Sequence, residues 1–269
     1  AAELIVGATS KDGTAQMYGT APLANATAAE WRSMMAKRWG AAAAAVMGQY
    51  PLQPRFGGDA AAAYIEADAD ERVVCPSLEM AKLASAIPGG TARHYSFAHL
   101  MLACDAGFAT GTLPLPRSPA LRVSHAGWAS HGSDVKYTFG TTHGPDSLTY
   151  YGNTTHLKRE ECPFDVSVGE AALSEAMGHY WTTFAATGAP EGATAWPAYP
   201  STLRLQAGPA EGGPEVVASF KADDCAFWKE QQRLKTCLPC CEKPPPGELC
   251  CCPVDPSCPR PPSCPPKNV

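Results

Sequence analysis

No stretch of this 269-residue chain approaches the roughly 20 consecutive apolar residues that a membrane-crossing helix needs; the alanine-rich run Ala41–Met47 is far too short. Positive charge is not in excess either. The 21 Lys and Arg against 26 Asp and Glu leave a net charge of −5, which argues against nucleic acid, whose binding depends on a basic surface. The opening residues lack the charged, apolar and small-residue succession of a secretory leader. The chain also lacks G-x-S-x-G, the strand-to-helix turn that presents a nucleophilic serine, and any histidine followed by three glycines that would supply oxyanion donors. On this reading the chain by itself hydrolyses nothing by a serine mechanism.

Cysteine, by contrast, is plentiful, with 12 residues. That usage points to an oxidising compartment, extracellular or within the secretory pathway. Two glycosylation acceptors, Asn25-Ala26-Thr27 and Asn153-Thr154-Thr155, agree with it. Apolar residues make up 45% of the chain, enough to build a core at this length. Cys237-x-x-Cys240 resembles half a zinc site, but no spaced second half or histidine follows, so no metal and no cofactor are expected.

Local patterns predict an α/β architecture. Glu3–Gly7 is a short apolar run that reads as a buried strand, and Ser10–Gly13 as a turn at its C-terminal end. Thr27–Met47 has helix formers with Trp31, Met34, Met35 and Trp39 at helical spacing, and Pro51 and Pro54 stop it. Ala60–Glu66 and Leu78–Ser85 read as short helices, and His94–Leu102 as a strand. In Ser167–Thr187 the residues Leu173, Ala176, Met177, Tyr180, Trp181 and Phe184 form one apolar face, with Gly188 to cap it and Pro190 to block extension. His179 and Trp181 on that helix read as packing residues. Leu203–Leu205 and Val216–Phe220 suggest a hairpin.

Composition then changes. Residues 237–269 are mostly Cys and Pro, including Cys240-Cys241 and Cys250-Cys251-Cys252, with almost no large apolar side chain. Such a segment cannot build a hydrophobic core. The expected organisation is therefore a folded region over 1–236 and an irregular Cys/Pro-rich tail over 237–269. The tail could form a disulfide knot, bridge to other chains or carry acylated cysteines.

Several motifs follow one another in an order that resembles the type-B carboxylesterase/cholinesterase family. L-I-V-G-A-T-S-K-D-G-T at 4–14 resembles the loop carrying the family's acid, and W-A-S-H-G-S-D-V-K-Y-T-F-G at 128–140 the segment carrying its base. Between and after them come Gln49-Tyr50-Pro51, Asp70–Pro76, Met177–Pro190, Trp196-Pro197-Ala198-Tyr199 and Asp224-Cys225-Ala226-Phe227-Trp228. The resemblance implies the C-terminal half of an α/β-hydrolase: later strands of the sheet, acid loop, base loop and closing helices. The nucleophile elbow and oxyanion donors would then lie upstream of Ala1 or on a partner chain.

The same resemblance assigns roles. His131 would be the general base, taking the serine proton and returning it to the leaving alcohol; from His-Gly alone a surface histidine is the plainer reading. Asp12 would be the acid, at a position where most members carry Glu, although Asp before Gly is also a common turn pair. Choline-directed relatives place aromatics just after the acid to hold a quaternary ammonium. This chain has Ala15 and Gln16 there, which leans towards a general carboxylic ester. Cys75 and Cys225 match two cysteines that pair in the family, a link that would stabilise by about 4 kcal/mol. The alternative function is a catalytically inactive, cholinesterase-like adhesion or structural module. The expected partners are a small ester, the N-terminal half of the same domain and, through the tail, other chains by disulfides. Half a sheet would also expose a strand edge, so isolated 1–236 should be poorly soluble.

Overall fold

Leu4, Ile5 and Val6 make a β-prone run, and β1 (Glu3–Thr9) forms over it, ending two residues beyond the apolar stretch. The computed structural model describes residues 3–12, 26–99, 129, 131–140, 168–208 and 212–237. β1 pairs in parallel with β2 (Thr91–Phe97), with Gly7 opposite Tyr95 and Thr9 opposite Phe97. β3 (Thr202–Leu205) lies parallel on the other side of β2, and β4 (Glu215–Val217) closes an antiparallel pair with it. The order is β1-β2-β3-β4, so among the described residues β1 is an edge strand. β2 begins earlier and stops earlier than its aromatic run suggests. Ala92, His94 and Ser96 alternate inward, and Ala98 N–H turns away to Leu205 O at 2.9 Å.

The helices follow the sequence except where glycine and backbone geometry intervene. α1 (Ala28–Trp39) opens on a reciprocal cap: Glu30 N–H donates to Thr27 Oγ1 at 3.2 Å and Thr27 N–H to Glu30 Oε2 at 2.8 Å. The expected single helix over 27–47 breaks at Gly40, whose φ of 52° lies in the left-handed region that only glycine enters cheaply. After one tight turn α2 (Ala43–Gln49) resumes. α3 (Ala60–Ala69), capped by Asp59, does not stop at Glu66. It runs through a wide π turn at Asp70–Val74 into α4 (Cys75–Ser85), which carries Pro76 in its first turn. α5 (Val135–Thr138) is a single turn, and α6 (Val168–Thr187) is the long helix expected, with Gly188 at φ 77° after it. No described helix is long and apolar enough to cross a membrane.

α6 lays Leu173, Met177 and Tyr180 on the sheet, where they join Phe97, Leu203 and Leu205. Trp196 completes this core: it packs edge-on to Tyr180 and Tyr95, and its indole N–H donates to His94 O at 3.1 Å. Each such large side chain taken from water contributes about 1.5–3 kcal/mol. A smaller cluster, Ala8, Ala69 and Val74 with Leu78 and Phe220 against it, closes the other side of β1. The chain forms two compact units, Ala1–Lys221 and Ala222–Val269. In the second, α7 (Ala222–Cys237) carries Asp223 and Asp224 in its first turn, where carboxylates favour the helix dipole. The rest of the Cys/Pro-rich tail lies outside the described residues.

Candidate active site

Parallel pairing delivers the end of β1 beside the end of β2, and the chain there turns sharply. Ser10 N–H donates to Phe97 O at 2.7 Å and Lys11 N–H to Ala129 O at 3.0 Å. These two bonds bring the turn against the segment that leads into His131. Asp12, at the end of the turn, is buried, and His131 reaches it: Nδ1 lies 2.6 Å from Asp12 Oδ1. An ionised carboxylate only accepts, so Nδ1 carries the proton of this bond and Nε2 is left with the lone pair of the neutral ring. The imidazole side chain remains 59% exposed.

The second carboxylate oxygen is held from the strand itself. Thr9 N–H and Thr9 Oγ1 both reach Asp12 Oδ2, at 3.2 and 3.0 Å. Thr9 is buried at the last position of β1. The Asp12 carboxylate is thus held on one side by Thr9 and on the other by His131.

His131 stands at the head of a compact turn. Gly132 takes φ 76°, and Val135 N–H returns to Gly132 O at 3.2 Å, leading into α5. The Tyr95 hydroxyl donates to Asp134 Oδ2 at 2.8 Å. Burial pushes the Asp134 carboxyl above its ordinary range, with Tyr95 offsetting part of that rise. Burial, then the neighbouring Asp134, raises the Tyr95 phenol. One turn later, Tyr137 donates to Glu170 Oε1 at 3.1 Å, and His99 Nε2 lies 3.0 Å from the same oxygen. Ser174 Oγ donates to Tyr137 O at 3.0 Å. α5 and the His131 turn are therefore anchored to β2 and α6 by buried polar contacts.

A second serine–histidine contact has a different character. His94 Nε2 lies 2.9 Å from Ser77 Oγ, and Nδ1 3.0 Å from Thr202 Oγ1. Both His94 and Ser77 are buried, and Ser77 already gives its proton to Val74 O at 2.7 Å. The ring must then donate from Nε2 and accept at Nδ1 from Thr202. With no carboxylate on the ring among the described residues and the ring buried, this is a structural link between α4, β2 and β3.

Of the residues the sequence singled out, Asp12 and His131 come together although they are 119 positions apart. Cys75, at the start of α4, and Cys225, on α7, are both disulfide-bonded. Trp181 packs against the core as expected, but His179 is exposed on α6: its neighbours Tyr180 and Met177 take the buried face. Asn25, Asn153, Ala15, Gln16 and Cys240 lie outside the described residues. Sequence reasoning missed Thr9, Tyr95, Asp134, His99 and Glu170. Thr9 had a local signal, a threonine three residues before an aspartate, which is the spacing of a side-chain cap.

Comparison with known proteins identifies the family and the fold. The Carboxylesterase family matches residues 2–228. Among solved structures, EstA of Aspergillus niger superposes with a TM-score of 0.54 at 17% identity, covering 86% of this chain and 40% of EstA. A thermophilic PNB esterase gives 0.50 at 18% identity, covering 84% of this chain and 38% of that one. The chain thus spans about two fifths of the length of these structures, and at such identities they share its fold. The family match over most of its length makes this chain, with its four-stranded sheet and packed helices, a member of the carboxylesterase family.

Proposed function

We propose that this chain is the acid- and base-bearing portion of a serine carboxylic-ester hydrolase, with Asp12 as acid and His131 as general base. The supporting observation is the 2.6 Å contact between Asp12 Oδ1 and His131 Nδ1, which leaves Nε2 on an exposed ring. In that arrangement Nε2 takes the proton of a serine attacking the ester carbonyl and later returns it to the alcohol. Asp12 fixes the tautomer and stabilises the imidazolium. The nucleophile and the oxyanion donors belong to the N-terminal half of the same domain, on a segment or chain outside this sequence. Among the described residues β1 is an edge strand, and its backbone groups would pair with a further strand of that half. The substrate is a small carboxylic ester without a quaternary ammonium.

The disulfide-bonded Cys75 and Cys225, which we pair with each other, fit an extracellular or secretory setting. Asn25 and Asn153 would carry glycans there, and the tail cysteines could bridge chains. The test is to assay p-nitrophenyl acetate hydrolysis by this chain alone and in a complete domain with a G-x-S-x-G half. Activity confined to the complete domain, and lost in both Asp12→Asn and His131→Ala, is the expected result. A folded complete domain that hydrolyses no ester would favour the inactive adhesion or structural module instead.

A further inference from the structure

Among the described residues, Asp12 has two hydrogen-bonding neighbours, and they divide its carboxylate. Oδ1 faces His131, while Oδ2 takes both donors of Thr9. Thr9 cannot easily move: it is buried, it is paired in register with Phe97, and the next residue is bonded to the carbonyl of Phe97. Its amide and hydroxyl therefore define a fixed seat at the strand end. The three-residue separation of Thr9 and Asp12 sets how far the carboxylate carbon can stand from that seat. A carboxylate with one methylene more would extend by about 1.5 Å, one carbon–carbon bond. It could then keep the Thr9 seat or the His131 contact, but not both without shifting the turn, which the Ser10 and Lys11 backbone bonds resist.

We infer that Thr9 is a positioning residue matched to Asp12: its paired donors hold Oδ2 so that an aspartate, and not a glutamate, presents Oδ1 to His131. The inference rests on the triad reading above and deepens it. Thr9 is buried behind Asp12. It acts by fixing one rotation of the carboxylate, and so the direction of the imidazole.

The test uses the complete domain, with kcat expressed per titrated active site so that loss of folded protein does not count. Thr9→Val removes the hydroxyl donor while keeping shape and the amide. It should lower kcat roughly tenfold, the scale of one hydrogen bond to a charged group, with KM within about twofold. Thr9→Ser restores the hydroxyl and should recover most of the rate. Asp12→Glu should lose a comparable factor in the Thr9 background. In the Thr9→Val background the same change should cost much less, because the seat is already impaired. A proton NMR spectrum provides an activity-independent readout. The low-field Nδ1–H resonance of His131 should be present in the parent protein, move or broaden in Thr9→Val and Asp12→Glu, and return in Thr9→Ser.

Asp12→Asn separates the two levels of the argument. If it leaves kcat unchanged, the triad reading itself falls. If it abolishes turnover while Thr9→Val and Asp12→Glu both retain the parent kcat and resonance, the triad stands and the matched pair is refuted. Should Thr9→Val fail to fold, Asp12→Glu decides: parental activity with the resonance unmoved overturns the inference.

Discussion

Tyr95 and Asp134 are joined by a 2.8 Å bond from the phenol to Oδ2, which ties the second strand of the sheet to the turn that presents His131. Tyr95 also stands edge-on to Trp181 and Trp196, so its ring is held by the core while its hydroxyl reaches the site. Tyr95→Phe keeps the packing and deletes the donor. Asp134, already pushed up by burial, then loses a stabilising partner. The expected result is a loss of about 1–2 kcal/mol in urea unfolding, the scale for leaving one polar group short of a bond. Turnover of the complete domain should also fall more steeply than its KM changes. Unchanged stability and kcat would show that the turn is held without this bond.

His94 makes stability depend on acidity. Burial pushes its imidazole down to about 4 from an ordinary value of 6.5, so the folded chain holds the ring neutral where the unfolded chain protonates it. Between about pH 6.5 and pH 4 the unfolded state binds more protons, and unfolding free energy must fall as pH falls. Below the folded value the loss from this residue levels off, at roughly 3 kcal/mol for such a separation. Urea unfolding at pH 7 and pH 4.5 checks this by comparing the parent with His94→Gln, which retains a donor and an acceptor but does not titrate. The parent should lose roughly 2–3 kcal/mol more than the variant across that interval. Equal losses would mean that His94 is not held neutral.

Different parts of this architecture were legible in the sequence to different degrees. β1 and α6 could be read because each is a single local pattern, an apolar run or one apolar helical face. Asp12 and His131 could be read because each sits in a recognisable segment, although nothing local says that they touch. The partners that hold them were hidden by distance along the chain. Tyr95 and Asp134 are 39 residues apart, and Glu170 is 71 from His99 and 33 from Tyr137. No periodicity links such positions; the parallel pairing of β1, β2 and β3 does. The break at Gly40 was missed because it interrupts a stretch whose side chains favour continuous helix, and the continuation of α3 beyond Glu66 because the π turn at 70–74 joins two stretches that read as separate short helices.

Glu66 connects the turn that carries Asp12 to Lys221, at the end of the first unit. Its carboxylate receives Lys11 Nζ at 2.6 Å, Lys221 Nζ at 2.7 Å and Arg55 Nη2 at 2.9 Å. Lys11 is the residue before Asp12, so this pair braces the turn from outside while Thr9 braces it from within. Burial alone would raise the Glu66 carboxyl, but Lys11 and Lys221 outweigh it and hold the group well below the usual carboxylate range. Its folded pKa is therefore depressed: the stabilisation is complete above the unfolded carboxylate value and is lost as pH falls towards the folded one. Glu66→Gln preserves size and removes the charge, leaving Lys221 its 2.8 Å contact with Asp70. At pH 7 the variant should be less stable by about 2 kcal/mol, below the 3–5 kcal/mol of a fully buried pair because the carboxylate is partly solvated. Its stability should also fall less than the parent's between pH 5 and pH 3. Since Lys11 then tethers the turn less firmly, kcat of the complete domain should drop while Thr9→Ser remains near parental. A variant as stable as the parent at pH 7, with the same acid dependence, would show that these ion pairs contribute nothing net and that the strand-end hydrogen bonds alone hold the turn.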